Sequence, residues 1–145
     1  MESRNGGIFV MKIRKIVCKV LSALLCIFSF VGCNQKETTM KNTYEQITPA
    51  EAKGIMDSEH NYIILDVRTK EEFAEGHIVG AILIPDYEIT EKAESVLTDK
   101  DQQILVYCRS GRRSKNVASQ LVELGYSNVK EFGGIIDWPY EITKE

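Results

Sequence analysis

Two runs in this chain are apolar at nearly every position: "NYIILDV", Asn61 to Val67, and "ILVY", Ile104 to Tyr107. A strand with one wet face alternates apolar and polar residues, whereas a run that is apolar throughout is covered on both faces. The segments around these runs carry helical spacing or turn residues. A short first strand closes at Ile47, and a helix opens at Thr48 or Pro49 and continues through Met56. "KEEFAEG" is a short helix stopped by Gly76, "GAILIP" a third strand, and "EITEKAESVL" a helix of mixed faces. Beyond Tyr107, Val117, Leu121 and Leu124 recur at helical spacing up to Gly125. "SNVKEF" then reads as a fifth strand, and "GGIIDW" as a turn into a last short helix. Strands separated by helices predict an α/β domain, a mostly parallel sheet with helices on both faces. A chain of 145 residues, 43% hydrophobic and with three prolines, suits one such domain.

Ligands of such sheets sit at the carboxyl ends of the strands. Cys108 stands at one of these ends, followed within five residues by Arg109, Arg112 and Arg113. Ser110, Gly111 and Ser114 are small enough to let backbone N–H groups turn inward, and the next helix adds its own unpaired donors. A free thiol titrates near 8.5, so only about 3% is thiolate at pH 7. Helix N-termini and adjacent cations lower that value. The pattern predicts a thiolate nucleophile in an anion cradle, with arginines favouring an anionic substrate. An inert buried thiol would gain nothing from three neighbouring guanidiniums.

The first forty residues have a different character. Lys12, Arg14, Lys15 and Lys19 precede "VLSALLCIFSFVG", a 13-residue apolar run without charge. That length is short for a membrane span and suits a signal-peptide core. The run ends in "FVGC", which resembles the lipobox of bacterial lipoproteins, with Phe30 where leucine is more usual. The resemblance implies a signal peptide over 1–32, a lipidated Cys33 and an envelope protein anchored to a membrane, facing outside the cytoplasm. The polar stretch "NQKETTMKN" reads as a tether, giving 33–43 as the lipidated linker and 44–145 as the domain. Cleavage would remove five of the 18 basic and one of the 21 acidic residues, leaving a net charge of −7. Such a surface disfavours nucleic acid. Of the four cysteines only Cys33 and Cys108 would remain, and an acylated Cys33 cannot form a disulfide.

"DVRTKEEFAEGHIVGAILIP", then "VYCRSGRRS", then "FGGIIDW" resemble, in that order, the motifs of the single-domain rhodanese, or thiosulfate sulfurtransferase, family. The resemblance covers about Glu45 to Glu141, and Leu83 departs from it where many relatives have asparagine. It implies a three-layer sandwich around a five-stranded parallel sheet in the order 3-2-4-5-1. It also implies Cys108 as the sulfur-carrying nucleophile and Cys108 to Arg113 as the active-site loop. Thiosulfate or a related sulfane donor would give its sulfur to Cys108, which would pass it to cyanide or a thiol. No cofactor is implied, and a monomer is the expected state. Arg109, Ser110, Gly111, Arg112 and Arg113 would bind the substrate.

Two other chemistries fit parts of the pattern. Cysteine phosphatases and arsenate reductases place the arginine at the sixth position after the cysteine, but here that position is Ser114 and the arginine comes fifth. A non-enzymatic module could dock a partner or sense oxidants through Cys108. Among the remaining motif residues, Asp66 is expected to cap the next turn and Arg68 to pair with an acidic neighbour, holding the loop. Glu71 and Glu72 could serve as an acid–base pair and His77 as a base for Cys108. The preferred readings are structural for all of these. Gly133 and Gly134 are expected in a tight turn and Trp138 in the core. With two histidines and no thiol pair in the domain, a metal site is not expected.

Overall fold

The computed structural model describes residues 43–144. The expected signal segment, Cys33 and nearly all of the tether lie outside these residues. In chain order the elements are β1 (Glu45–Gln46), α1 (Pro49–Ser58), β2 (Tyr62–Asp66), α2 (Lys70–Glu75), β3 (His77–Ile78), β4 (Ala81–Leu83), α3 (Ile89–Val96), β5 (Gln103–Cys108), α4 (Arg112–Glu123), β6 (Val129–Gly134) and β7 (Ile142–Thr143). Short 3-10 turns occupy Asp86–Glu88 and Ile135–Asp137.

Five strands form one parallel sheet in the order β1-β6-β5-β2-β4. The central β5 pairs with β2 on one side and β6 on the other, so its backbone is held along its whole length. Successive side chains of a strand point to opposite faces, and β5 shows the split. Ile104, Val106 and Cys108 join a core with Val117, Ala118 and Leu121 of α4 and Ala93 of α3. Leu105 and Tyr107 join the opposite core, with Ala52 of α1, Phe132 and Trp138. Helices therefore cover both faces, and the period of two places Cys108 on the same side as α4.

Two helix starts are set by Thr-x-x-Glu capping boxes, Thr48 with Glu51 and Thr69 with Glu72. An antiparallel pair of β3 with β7 lies outside the main sheet and was not expected from the sequence. The third strand is shorter than "GAILIP". The fifth runs beyond "SNVKEF" through Gly133 and Gly134, which end β6 rather than form a free turn.

Tyr107 joins β5 to β3. Its hydroxyl accepts the backbone N–H of Ile78 at 3.1 Å, and both residues are buried. Burial first, and the Asp66 carboxylate second, hold the phenol protonated far above its usual range. Tyr107→Phe removes the acceptor and leaves that N–H dry, which should cost about 1–3 kcal/mol. Tyr62→Phe removes a half-buried bond to the Met56 carbonyl and should cost less than about 1 kcal/mol. Urea unfolding of both variants checks the contrast.

Candidate active site

The end of β5 carries Cys108 into a loop that turns directly into α4. The pairing of β5 with β6 is regular to Val106 and then shifts, so that Cys108 lies opposite Gly134. Such an irregularity re-aims a side chain. Gly111 makes the turn: its φ of +87° belongs to the left-handed region that favours glycine. Its N–H donates to Cys108 Sγ at 3.1 Å. Across the loop, Gly134 is required for a different reason. A Cβ there would sit 2.2 Å from the Arg109 carbonyl oxygen and 2.5 Å from Ser110 Cα. The loop thus rests on bare backbone.

Cys108 is almost wholly buried. Burial pushes its thiol up, but hydrogen bonds from the Ser114 hydroxyl and the N–H groups of Ser114, Ser110 and Gly111 bring it below the ordinary value. The sulfur is therefore charged chiefly by donors of the loop and helix start, where the sequence pattern gave more weight to the cations. The three arginines divide. Arg109 and Arg112 are exposed and form no ion pair with the described residues, whereas Arg113 pairs with Glu72 at 2.8 Å. Burial pushes Glu72 up, but the Thr69 N–H and Arg113 more than offset it and hold it below the usual carboxylate range. Glu72 thus caps α2 and anchors the loop. Glu71 is not part of this contact.

Asp66 and Arg68 pair with each other. Arg68 donates to both carboxylate oxygens, at 2.6–3.0 Å, and to the Gly76 carbonyl at 2.7 Å. Asp66 also accepts the Arg68 N–H at 2.9 Å, closing the turn. His77 stacks on Phe73 at 3.7 Å and lies 3.0 Å from its carbonyl oxygen through Nδ1, which must therefore be the donor. It bonds its own loop. Two residues escaped the sequence reading: Ser114, as a side-chain donor, and Glu131, buried at 2% exposure and 2.6 Å from the Ser114 hydroxyl. A charged residue inside an otherwise buried strand was the available signal. Among the described residues no cluster of His, Cys, Asp or Glu has metal-site geometry.

A family model described as "Rhodanese-like domain" matches residues 48–139. The chain is 38% identical over 97 residues to a putative sulfurtransferase of Bacillus subtilis, YtwF, covering 67% of this chain and 92% of that protein. It is 38% identical over 73 residues to the thiosulfate sulfurtransferase PspE of Escherichia coli, covering 50% of this chain and 70% of that one. Among solved structures, a rhodanese-like domain protein from Staphylococcus aureus superposes with a TM-score of 0.63 at 32% identity, over 70% of this chain and 98% of that one. A match across most of the described domain, with sulfurtransferases among the relatives, shows that the chain belongs to the rhodanese-like family.

Proposed function

We propose that the domain transfers sulfane sulfur through a persulfide on Cys108, taking it from thiosulfate or a related donor and giving it to cyanide or a thiol. The observation that carries this reading is a buried sulfur at the focus of loop N–H donors, charged without a neighbouring base. Thiolate Sγ attacks the outer sulfur of thiosulfate; the Sγ–S bond forms, and sulfite leaves with the electron pair of the broken S–S bond. The acceptor then attacks the outer sulfur, and the pair of the Sγ–S bond returns to Sγ. Inward N–H groups stabilise the charge on the terminal sulfur as an oxyanion hole stabilises oxygen. Arg109 and Arg112, exposed and outside any ion pair with the described residues, draw the anionic donor to the loop. Arg113, tied to Glu72, holds the loop's shape.

For the residues before the domain, we propose that Cys33 carries a lipid after cleavage at Gly32 and anchors the protein in a bacterial cell envelope. The 13-residue apolar run and "FVGC" support this placement. Acyl chains contribute about 0.8 kcal/mol per buried CH₂, and two or three hold a protein stably on a membrane.

Three measurements test these assignments. Thiosulfate should add about 32 Da to the protein and cyanide should remove it; Cys108→Ser forming thiocyanate at the wild-type rate would overturn the mechanism. Because the folded thiol loses its proton below its ordinary pH, alkylation of Cys108 should reach half its maximal rate below about 8.5. Inserting one residue between Gly111 and Arg112 restores the phosphatase spacing and spreads the donors. Misplacing one such donor costs about 100- to 1000-fold in rate, so thiocyanate formation should fall by at least that factor. Aryl phosphatase turnover by the wild type without thiocyanate formation would reverse the assignment. Cys33→Ser should move the protein from the membrane to the soluble fraction; unchanged membrane association would rule out the lipid as its anchor.

A further inference from the structure

Ser114 and Glu131 form a buried pair beside the sulfur that the two transfer steps leave unused. Ser114 is fully buried, and its hydroxyl lies 2.6 Å from Glu131 Oε1, 3.3 Å from the Gly133 carbonyl oxygen and 3.5 Å from Cys108 Sγ. A hydroxyl carries one proton. It can therefore serve only one of these acceptors well at a time. An ionised Glu131 is the nearest and the strongest of them. The same Oε1 accepts the Gly133 N–H at 2.9 Å, which fixes the carboxyl group at the end of β6. Lys115 of α4 and Asp137 of the following turn line an open cavity of about 410 Å³ together with Glu131 and Gly111. These are the charged groups that share its surroundings, while Arg113 is engaged by Glu72.

We propose that Glu131 is a positioning residue for Cys108: by holding or releasing the single Ser114 proton, it withholds or supplies a further hydrogen bond to Sγ. This role rests on the reading of Cys108 as sulfur carrier, which makes Sγ a nucleophile in one half-reaction and a leaving group in the other. The two tasks have opposite needs. A donor on the sulfur lowers its nucleophilicity and eases its departure, because a sulfur of lower proton affinity attacks less strongly and leaves faster. With the Ser114 hydroxyl turned to Glu131, Sγ keeps its backbone donors and attacks thiosulfate. With the hydroxyl turned to Sγ, the electron pair returning from the broken Sγ–S bond is received by one more donor. The hydroxyl rotates and its O–H bond stays intact, so the step consumes no proton and needs no co-reactant.

Glu131→Gln keeps the shape, removes the charge and competes weakly for the hydroxyl. Followed by ultraviolet thiolate absorbance, its thiolate-to-thiol ratio at fixed pH should rise about tenfold. Single-turnover discharge of the persulfide to cyanide should quicken, and attack on thiosulfate per thiolate should slow. Placed in a Ser114→Ala background, the same change should shift the ratio less than half as far on a logarithmic scale. An equal shift in both backgrounds would show Glu131 acting by charge alone and would overturn the proposal. So would an unchanged ratio in Glu131→Gln. If that variant does not fold, NMR of wild-type protein with isotope-labelled glutamate decides instead. The Glu131 carboxyl signal should move as Cys108 titrates, and far less in Ser114→Ala; a signal indifferent to Cys108 would overturn it. Thiol titration requires no sulfur transfer, so the expected shift in a protein that forms no thiocyanate would sink the sulfurtransferase reading alone.

Discussion

A sulfur that is to carry charge while buried needs several donors aimed at one point, and most of the local architecture follows from that need. Removing an anion from water costs several kcal/mol unless hydrogen bonds replace the lost solvation. Cys108 is 1% exposed, so the replacement comes from the loop it begins. The loop can close around Sγ only because Gly111 adopts a left-handed turn and because Gly134 has no Cβ to strike Arg109. Both conditions depend on where β5 and β6 end. β5 is paired on both sides, and this fixes the starting point of the loop to within the stiffness of the sheet.

Around this centre, the charged and polar pairs locate backbone and add little to stability. Asp66 and Arg68 are buried together, and an isolated buried ion pair seldom gains more than its desolvation costs. Their geometric effect is clearer. Arg68 ties the end of β2 to the Gly76 carbonyl, next to the buried β3 segment that Tyr107 holds from β5. On the other side of the loop, Glu72 uses one carboxylate both to cap α2 and to receive Arg113. With side chains 19% and 25% exposed, that pair is partly screened, and its coupling amounts to about 1 kcal/mol or less. It is enough to choose one loop orientation among several of similar energy.

The legible parts of the chain were those written in local pattern. Continuous apolar runs marked β2 and β5, the capping residues Thr48 and Thr69 stand where helices begin, and the spacing of Val117, Leu121 and Leu124 marked α4. Cys108 was legible because a nucleophile followed by small residues and a helix is itself a local pattern. What escaped depends on contacts distant in sequence. Ile142 and Thr143 form a strand only because His77 and Ile78 are there to pair with, 64 and 66 residues earlier. Gly133 and Gly134 look like turn residues until Arg109 is seen resting against Gly134. Glu131 looks like the wet side of an edge strand until Ser114 is found beneath it, 17 residues away.

Why three arginines, if backbone groups charge the sulfur? A substrate such as thiosulfate is an anion approaching an anion, and the two repel unless cations stand between or beside them. Those cations must not be neutralised in advance. Arg113 is already matched by Glu72 and adds little net field, but Arg109 and Arg112 stay exposed. Their position within five residues of Cys108 gives the mouth of the loop a local positive charge on a protein whose net charge is −3. The labour is thus divided by distance from the sulfur. Fixed dipoles a few ångströms away stabilise Sγ at all ionic strengths, while exposed guanidiniums act at longer range and fade as salt rises. Such a site depends on salt mainly in how fast its anion arrives, and little in what happens once the anion reaches Cys108.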